Sequence, residues 1–225
     1  MAAAASFKED MKHYLDWAIR ATLDMPGLTV KLSTEATPQK IKKEKPDVII
    51  IAVGAAPLVP SILGINGKNV VTAGEVDTGK AKTGSRVVVT GAGLTGSETA
   101  LYLAQQGKKV TLIDRLSLEQ IDANAPFVDS RTLRSMLQEL TVDIIQEVKL
   151  EAITDSGAVI TDKKGKKREI PCDTVVLALG VQPRREIVEK FKDAAPDVRV
   201  IGDCGNERGN LMSATAEGFF AAIEL

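Results

Sequence analysis

The chain has 225 residues, with Lys+Arg 29 against Asp+Glu 30, a formal net charge of -1, 44% apolar and 26% charged residues. That length admits one large or two small domains, and the near balance of charge argues against a nucleic-acid surface, which needs a basic excess or stripe. The longest apolar run, residues 48 to 60 broken only by Gly54, is shorter than the roughly 20 residues that cross a bilayer, so no membrane span is expected.

Ala2 to Ala5 lack the basic region and long apolar stretch of a secretory leader. They read as a disordered end, and a cytoplasmic address follows. Cys172 and Cys204 form no Cys-x-x-Cys pair and His13 is the single histidine, so neither a thiol-disulfide centre nor a structural zinc site is assembled from them. Both cysteines are expected to be reduced and buried.

In chain order, Lys8 to Leu23 carries Met11, Tyr14, Leu15, Ala18, Ile19 and Leu23 at the spacing of a helix with one buried face, ended by Gly27. Thr29 to Ser33 alternates like a strand. Thr37 to Lys43 reads as a short helix opened by Thr37 before Pro38. Asp47 to Val53 is a continuous β-branched run that should be covered on both faces, as in a parallel sheet. An irregular Pro- and Gly-bearing connection follows, then the apolar pair Val70 and Val71 and a helix-like stretch near Gly74 to Lys80.

A βαβ unit begins at Ser85: Arg86 to Thr90 a strand, Gly91 to Gly96 a glycine turn, Ser97 to Gln106 a helix, Lys109 to Ile113 a strand. Ser130 to Gln138 is a helix and Val142 to Gln146 a strand. Lys149 to Ile153, Ala158 to Thr161 and Lys167 to Ile170 form a three-stranded meander with turns at Asp155 to Gly157 and Asp162 to Gly165. Asp173 to Leu179 and Val198 to Ile201 are strands, and Ser213 to Glu224 is a terminal helix with Phe219, Phe220 and Ile223 on its apolar face. The pattern is α/β.

One internal repeat stands out. Asp47 to Pro57 aligns without gaps on Asp173 to Pro183, sharing Asp47 with Asp173, Ala52 with Ala178, Gly54 with Gly180 and Pro57 with Pro183. Two related nucleotide-binding domains, each closing with the same strand and turn, account for it, and Gly180 becomes a candidate cofactor-binding position.

The chemistry sits in the glycine turn. Gly91, Ala92, Gly93, Leu94, Thr95 and Gly96 follow a buried strand and open a helix, and Asp114 ends the next strand, where an acidic residue holds a ribose diol. Gly91 permits the tight turn, Gly93 lets the backbone touch a pyrophosphate, and Gly96 lets helix and strand pack. The helix N-terminus offers free N–H groups to the anion. Asp114 favours NAD because a carboxylate repels a 2'-phosphate, whereas Arg115 would accept that phosphate and take NADP if Asp114 turned away. Glu98 is either a first-turn acid favoured by the helix dipole or a residue facing the nicotinamide. Gly202 and Asp203 close a strand whose carboxyl end points into a ligand crevice; Asp203 either bonds a ligand hydroxyl or caps its own loop. His13 and the basic hairpin tip Lys163 to Arg168 read as solvated surface.

These pieces in this order resemble the two-dinucleotide-domain flavoprotein reductases. Phe7 to Leu15, Val30 to Ser33, Ile201 to Cys204 and Glu217 to Glu224 resemble the C-terminal portion of the old-yellow-enzyme-like NADH:flavin oxidoreductases, the 2,4-dienoyl-CoA reductase and enoate reductase group. The resemblance implies a Rossmann-like three-layer ββα fold in which an NAD(P) domain (84–183) is inserted in an incomplete FAD domain (6–80 and 184–225). It assigns Gly91, Gly93, Gly96, Glu98 and Asp114 to the nicotinamide nucleotide, and Gly54, Gly202 and Asp203 to FAD. It further implies an upstream TIM barrel with FMN and an iron–sulfur cluster, the rest of the FAD domain, and hydride transfer from nicotinamide to flavin ahead of reduction of an enoate or dienoyl-CoA-type double bond. The sequence holds a single G-x-G-x-x-G, so it is expected to be a fragment, inactive alone and prone to self-association. Two alternatives stay open: a fragment of a pyridine-nucleotide disulfide or ferredoxin reductase, and a non-catalytic adenine-nucleotide-binding module.

Overall fold

The computed structural model describes residues 8–123, 127–205 and 209–225; the alanine run and Phe7 lie outside them. The elements in chain order are α1 (Glu9–Leu23), α2 (Pro38–Glu44), β1 (Val48–Ile51), β2 (Ala55–Pro57), β3 (Val70–Thr72) and α3 (Ala73–Asp77). Next come β4 (Arg86–Thr90), α4 (Leu94–Gln105), β5 (Lys109–Ile113), α5 (Leu118–Asp122), α6 (Phe127–Glu139) and β6 (Asp143–Ile145). The meander β7 (Val148–Ile153), β8 (Gly157–Asp162) and β9 (Lys167–Pro171) leads to β10 (Thr174–Leu177), β11 (Val181–Pro183), α7 (Arg185–Lys190), β12 (Asp197–Val200) and α8 (Leu211–Ile223). The chain divides into two compact units, residues 57–180 with the start of the chain up to Lys12, and residues 13–56 with 181–225.

The first unit is built on a parallel sheet in the order β3-β10-β4-β5-β6. Successive side chains on a strand point to opposite faces, and β4 shows it. Val87 and Val89 join Leu101, Leu103 and Leu137 on the helical side, while Val88 joins Val148, Leu150 and Ile160 on the meander side. In β10, Val176 packs on the helical side and Val175 and Leu177 against the meander. Meander, parallel sheet and helices make the expected ββα layers. Covered on both faces, β10 and residues 87–90 of β4 are buried throughout, each apolar side chain stabilising by about 2 kcal/mol.

Several boundaries differ from expectation. Helix α4 starts at Leu94 rather than Ser97, because Gly93 takes the extended N-cap conformation and half of the turn is already helix. The unexpected α5 is opened by a capping box in which Ser117 and Gln120 satisfy each other's backbone N–H. Residues 57–80, expected with the FAD portion, group with the first unit: β3 pairs with β10, and Thr72 and Glu75 form a second capping box that opens α3.

In the second unit β1 pairs in parallel with β12, and β2 with β11. Its core is Ile51, Phe191, Ala194 and Cys204, with Ile41, Ile49 and Val198 packed around them. Thr37 caps α2 as expected, accepting from the Lys40 N–H. Three other expectations fail. Strand β1 is not covered on both faces, for Ile50 is 39% exposed. Residues 29–33 form no strand; Ser33 has φ +50°, in the left-handed region, and alternation alone gives a strand no hydrogen-bonding neighbour. The apolar stripe of α1 is not buried, with Tyr14, Ile19 and Leu23 open and Met11, Leu15 and Ala18 half-buried, and Phe219, Phe220 and Ile223 of α8 are open as well.

His13 and residues 163–168 are exposed. Both cysteines are buried and unbridged; burial pushes the Cys172 thiol up, and the Cys204 S–H faces the carbonyl oxygens of Ile51 and Ile201. Among the described residues, no helix is long and apolar enough to cross a membrane.

Candidate functional site

Strand β4 lies at the centre of the first unit's sheet. From its end the chain runs through α4 to β5 on one side, while β10 lies on the other. That change of direction is where open parallel sheets take their ligands, at the carboxyl ends of the strands. The glycine turn occupies this place. Gly91 has φ +100°, and a Cβ on it would lie 2.3 Å from the Ala178 carbonyl oxygen beyond β10, so only glycine closes the turn. A Cβ on Gly96 would lie 1.8 Å from the Gly91 oxygen. Gly93 is the opposite case, since nothing lies within 4 Å of where its side chain would be.

Burial splits the motif accordingly: Gly91, Ala92 and Gly96 form its packed inner side, and Gly93, Leu94 and Thr95 its open outer side. Gly93 is the N-cap of α4 and provides no side-chain cap. The first N–H groups of a helix have no intrahelical acceptor, and here they stand at an open, glycine-walled helix end with its positive dipole. The residues present therefore fit a pyrophosphate.

Asp114 reaches this turn. Its Oδ2 accepts the Ala92 N–H at 2.6 Å and its Oδ1 accepts the Leu116 N–H at 2.8 Å; each oxygen keeps a further lone pair for a ligand hydroxyl. Arg115 is exposed beside it. Glu98 is engaged within the protein, its Oε2 2.7 Å from the Lys8 Nζ. Nearby Asp77 holds the Thr99 hydroxyl at 3.0 Å, and burial, aided by the Glu98 charge, pushes its carboxyl above the usual range against the effect of that hydrogen bond. Gly180, with φ +95°, accepts the Leu58 N–H.

Three residues at this site carry no motif signal. Ser97 Oγ donates to the Ala92 carbonyl at 2.9 Å, Arg134 Nη2 donates to the same oxygen at 2.9 Å, and Arg134 Nη1 reaches Ser97 Oγ at 2.7 Å. Asp122, at the end of α5, holds the guanidinium at 2.9 Å. A charged residue directly after the buried Leu133 was the available hint.

In the second unit, Gly54 follows β1 and Gly202 follows β12, so the pairing of these strands brings both to one carboxyl end. Both are left-handed, at φ +69° and +67°. The Gly202 N–H donates to Glu217 Oε2 of α8 at 2.6 Å. Asp203 follows Gly202 within the 3-10 turn Gly202–Cys204, with its carboxylate against Gly209 ahead of α8.

A profile of the family described as pyridine nucleotide-disulphide oxidoreductase matches residues 6–218. An NADH oxidase of Thermoanaerobacter brockii is 34% identical over 100% of this chain and 35% of its own length. A bilirubin reductase of Mediterraneibacter gnavus (strain CC55_001C) is 32% identical over 86% of this chain and 30% of its own. Among solved structures, a 2-naphthoyl-CoA reductase in complex with 2-naphthoyl-CoA superposes with a TM-score of 0.88 at 32% identity, over 97% of this chain and 33% of that one. The chain thus spans about a third of the length of these relatives. The resemblance to two-dinucleotide-domain flavoproteins and the Rossmann-like FAD/NAD(P)-binding fold are borne out, and the chain belongs to the pyridine nucleotide-disulphide oxidoreductase family.

Proposed function

We propose that this chain is the nucleotide-handling part of a longer NAD(P)H-dependent flavoprotein oxidoreductase, with NAD(H) held by the first unit and one end of FAD by the second. The observation that carries the reading is Gly93, an open N-cap without a side chain, at the switch point of a parallel sheet with Asp114 beside it. The α4 amides bind the pyrophosphate, and Asp114 turns its remaining lone pairs to the adenosine ribose, which selects NAD over NADP. Gly54, Gly180, Gly202 and Asp203 let backbone and carboxylate approach the cofactors, Asp203 toward a ligand hydroxyl. Nicotinamide held at the α4 amides and Asp114 would supply a hydride, with a flavin as its acceptor. Such a transfer needs orientation more than an acid or base, so a catalytic histidine is not required.

Only one G-x-G-x-x-G is present in the 225 residues, and it serves the nicotinamide nucleotide. The FAD phosphates therefore take their amides from another part of the longer protein. A TIM barrel with FMN and an iron–sulfur cluster, and an enoate or dienoyl-CoA-type substrate, complete the proposal; the likeness to a 2-naphthoyl-CoA reductase supports a CoA-thioester substrate.

Titration calorimetry with NADH tests the assignment. Gly93→Val puts a branched side chain where the phosphate must approach, and since nothing lies within 4 Å of that Cβ the fold should stay intact. Binding to the wild-type chain and none to the variant is expected; equal affinity refutes it.

A further inference from the structure

We propose that Arg134, held in place by Asp122, is a positioning residue that aims the Gly93 N–H at the nucleotide's pyrophosphate. The inference rests on the nucleotide reading above. A trans peptide is planar, with its C=O and N–H pointing in opposite directions. The Ala92–Gly93 peptide has its carbonyl oxygen fixed by two donors, Arg134 Nη2 and Ser97 Oγ, both at 2.9 Å. The Gly93 N–H at the other end of that peptide is thereby turned away from Arg134, toward the side where a Gly93 side chain would meet no atom within 4 Å. Asp114 adds the complementary restraint by accepting the Ala92 N–H at 2.6 Å.

The guanidinium suits this task. Its planar fork serves Ser97 Oγ, the Ala92 oxygen and both Asp122 oxygens, the latter at 2.9 and 3.4 Å, and the side chain is 17% exposed. Lysine has a single nitrogen on a flexible stem and cannot span three partners in one geometry. Because Asp122 balances its charge, Arg134 acts on the anion through the peptide it holds. The turn is kept ready before the nucleotide arrives, which lowers the ordering cost of binding.

The test compares Arg134→Met, Arg134→Lys and Asp122→Asn in the full 225-residue chain, using NADH and adenosine as probes and thermal unfolding as a folding control. Adenosine lacks the pyrophosphate. Arg134→Met should weaken NADH binding about tenfold or more, the size of a lost hydrogen bond to a charged group. The NADH-induced shift of the Gly93 amide resonance should fall with it, and adenosine affinity should stay within about twofold. Arg134→Lys and Asp122→Asn should lie between wild type and Arg134→Met; they carry the test if the methionine variant does not fold. NADH affinity within about twofold of wild type in all three variants, or equal losses for NADH and adenosine, overturns the inference. A wild-type chain that does not bind NADH instead overturns the underlying nucleotide reading.

Discussion

Strands β1 and β10 carry the two copies of the internal repeat, yet all four residues of β10 are buried and only Ile51 of β1 is. Neighbours make the difference. β10 lies between β3 and β4, with helices on one face and the meander on the other, whereas among the described residues β1 pairs with β12 alone. The repeated aspartates are both exposed and differ instead in their partners. Asp173 Oδ2 accepts the N–H groups of Ser85 and Arg86, and Oδ1 pairs with the Arg86 guanidinium at 2.7 Å, a partner that holds its carboxyl below the usual range. Asp47 is exposed, and its backbone oxygen accepts the Asp197 N–H. A repeated sequence thus sets the strand and the left-handed glycine after it, Gly54 or Gly180. Burial belongs to the sheet that receives it.

The sharpest way to break this comparison is truncation at the aligned positions Val176 and Ile50. Val176 is 0% exposed, and Val176→Ala should cost about 2 kcal/mol from two lost methyl groups and the cavity they leave. Ile50→Ala removes more atoms yet should cost less than about 1 kcal/mol, because its side chain is already partly in water. Urea unfolding of each variant decides the order. In the full-length protein, where the proposed FAD portion covers β1, the two costs should converge.

Next in size is Asp114→Ser, which tests whether the first unit is the nicotinamide site. NADH should bind the wild type at least about tenfold tighter than NADPH, the equivalent of about 1.4 kcal/mol, and fluorescence titration should show the variant shrinking that ratio. A wild-type preference for NADPH would instead assign the choice to Arg115.

Asp173 and Asp77 offer a smaller, pH-dependent contrast. A carboxyl lowered by folding contributes stability above its unfolded pKa of about 3.9, lost as pH falls through its folded value. Asp173→Asn should remove part of the acid-side loss in urea midpoint between neutral pH and pH 3. Asp77 has the opposite sign and the smallest expected effect. Its carboxyl is raised by burial, so its contribution is full below the unfolded pKa and is lost as pH rises through the folded value. Asp77→Asn should be more stable than wild type at neutral pH, with the advantage fading in acid; equal midpoints at neutral pH would show that the Thr99 hydrogen bond outweighs the burial.

What was legible in the sequence follows the same division. Strands β4 and β5 were readable residue for residue, because a β-branched run beside a glycine turn leaves little choice of register. The turn, Asp114 and the meander were readable as local patterns. Residues 29–33 misled because alternation describes a face without supplying a partner, and the stripes of α1 and α8 marked faces that the described residues of this chain leave half-buried or open. Helix α5 was missed although Ser117 and Gln120 stood at capping-box spacing, since it is only five residues long. Beyond a charge placed after the buried Leu133, the role of Arg134 and Asp122 was not legible, because the meeting of Arg134 with Ala92 is fixed by the packing of α6 beside α4 and not by any spacing along the chain.

The buried thiols have a practical consequence. The chain has two cysteines, and they are shared one to each unit, Cys172 within residues 57–180 and Cys204 within 181–225. Both are shut away from water, so a thiol reagent reacts with either one only when the surrounding structure opens. Alkylation followed by peptide mass analysis would therefore time the opening of each unit separately in the unaltered protein. Cys204, in the smaller core, should be modified first.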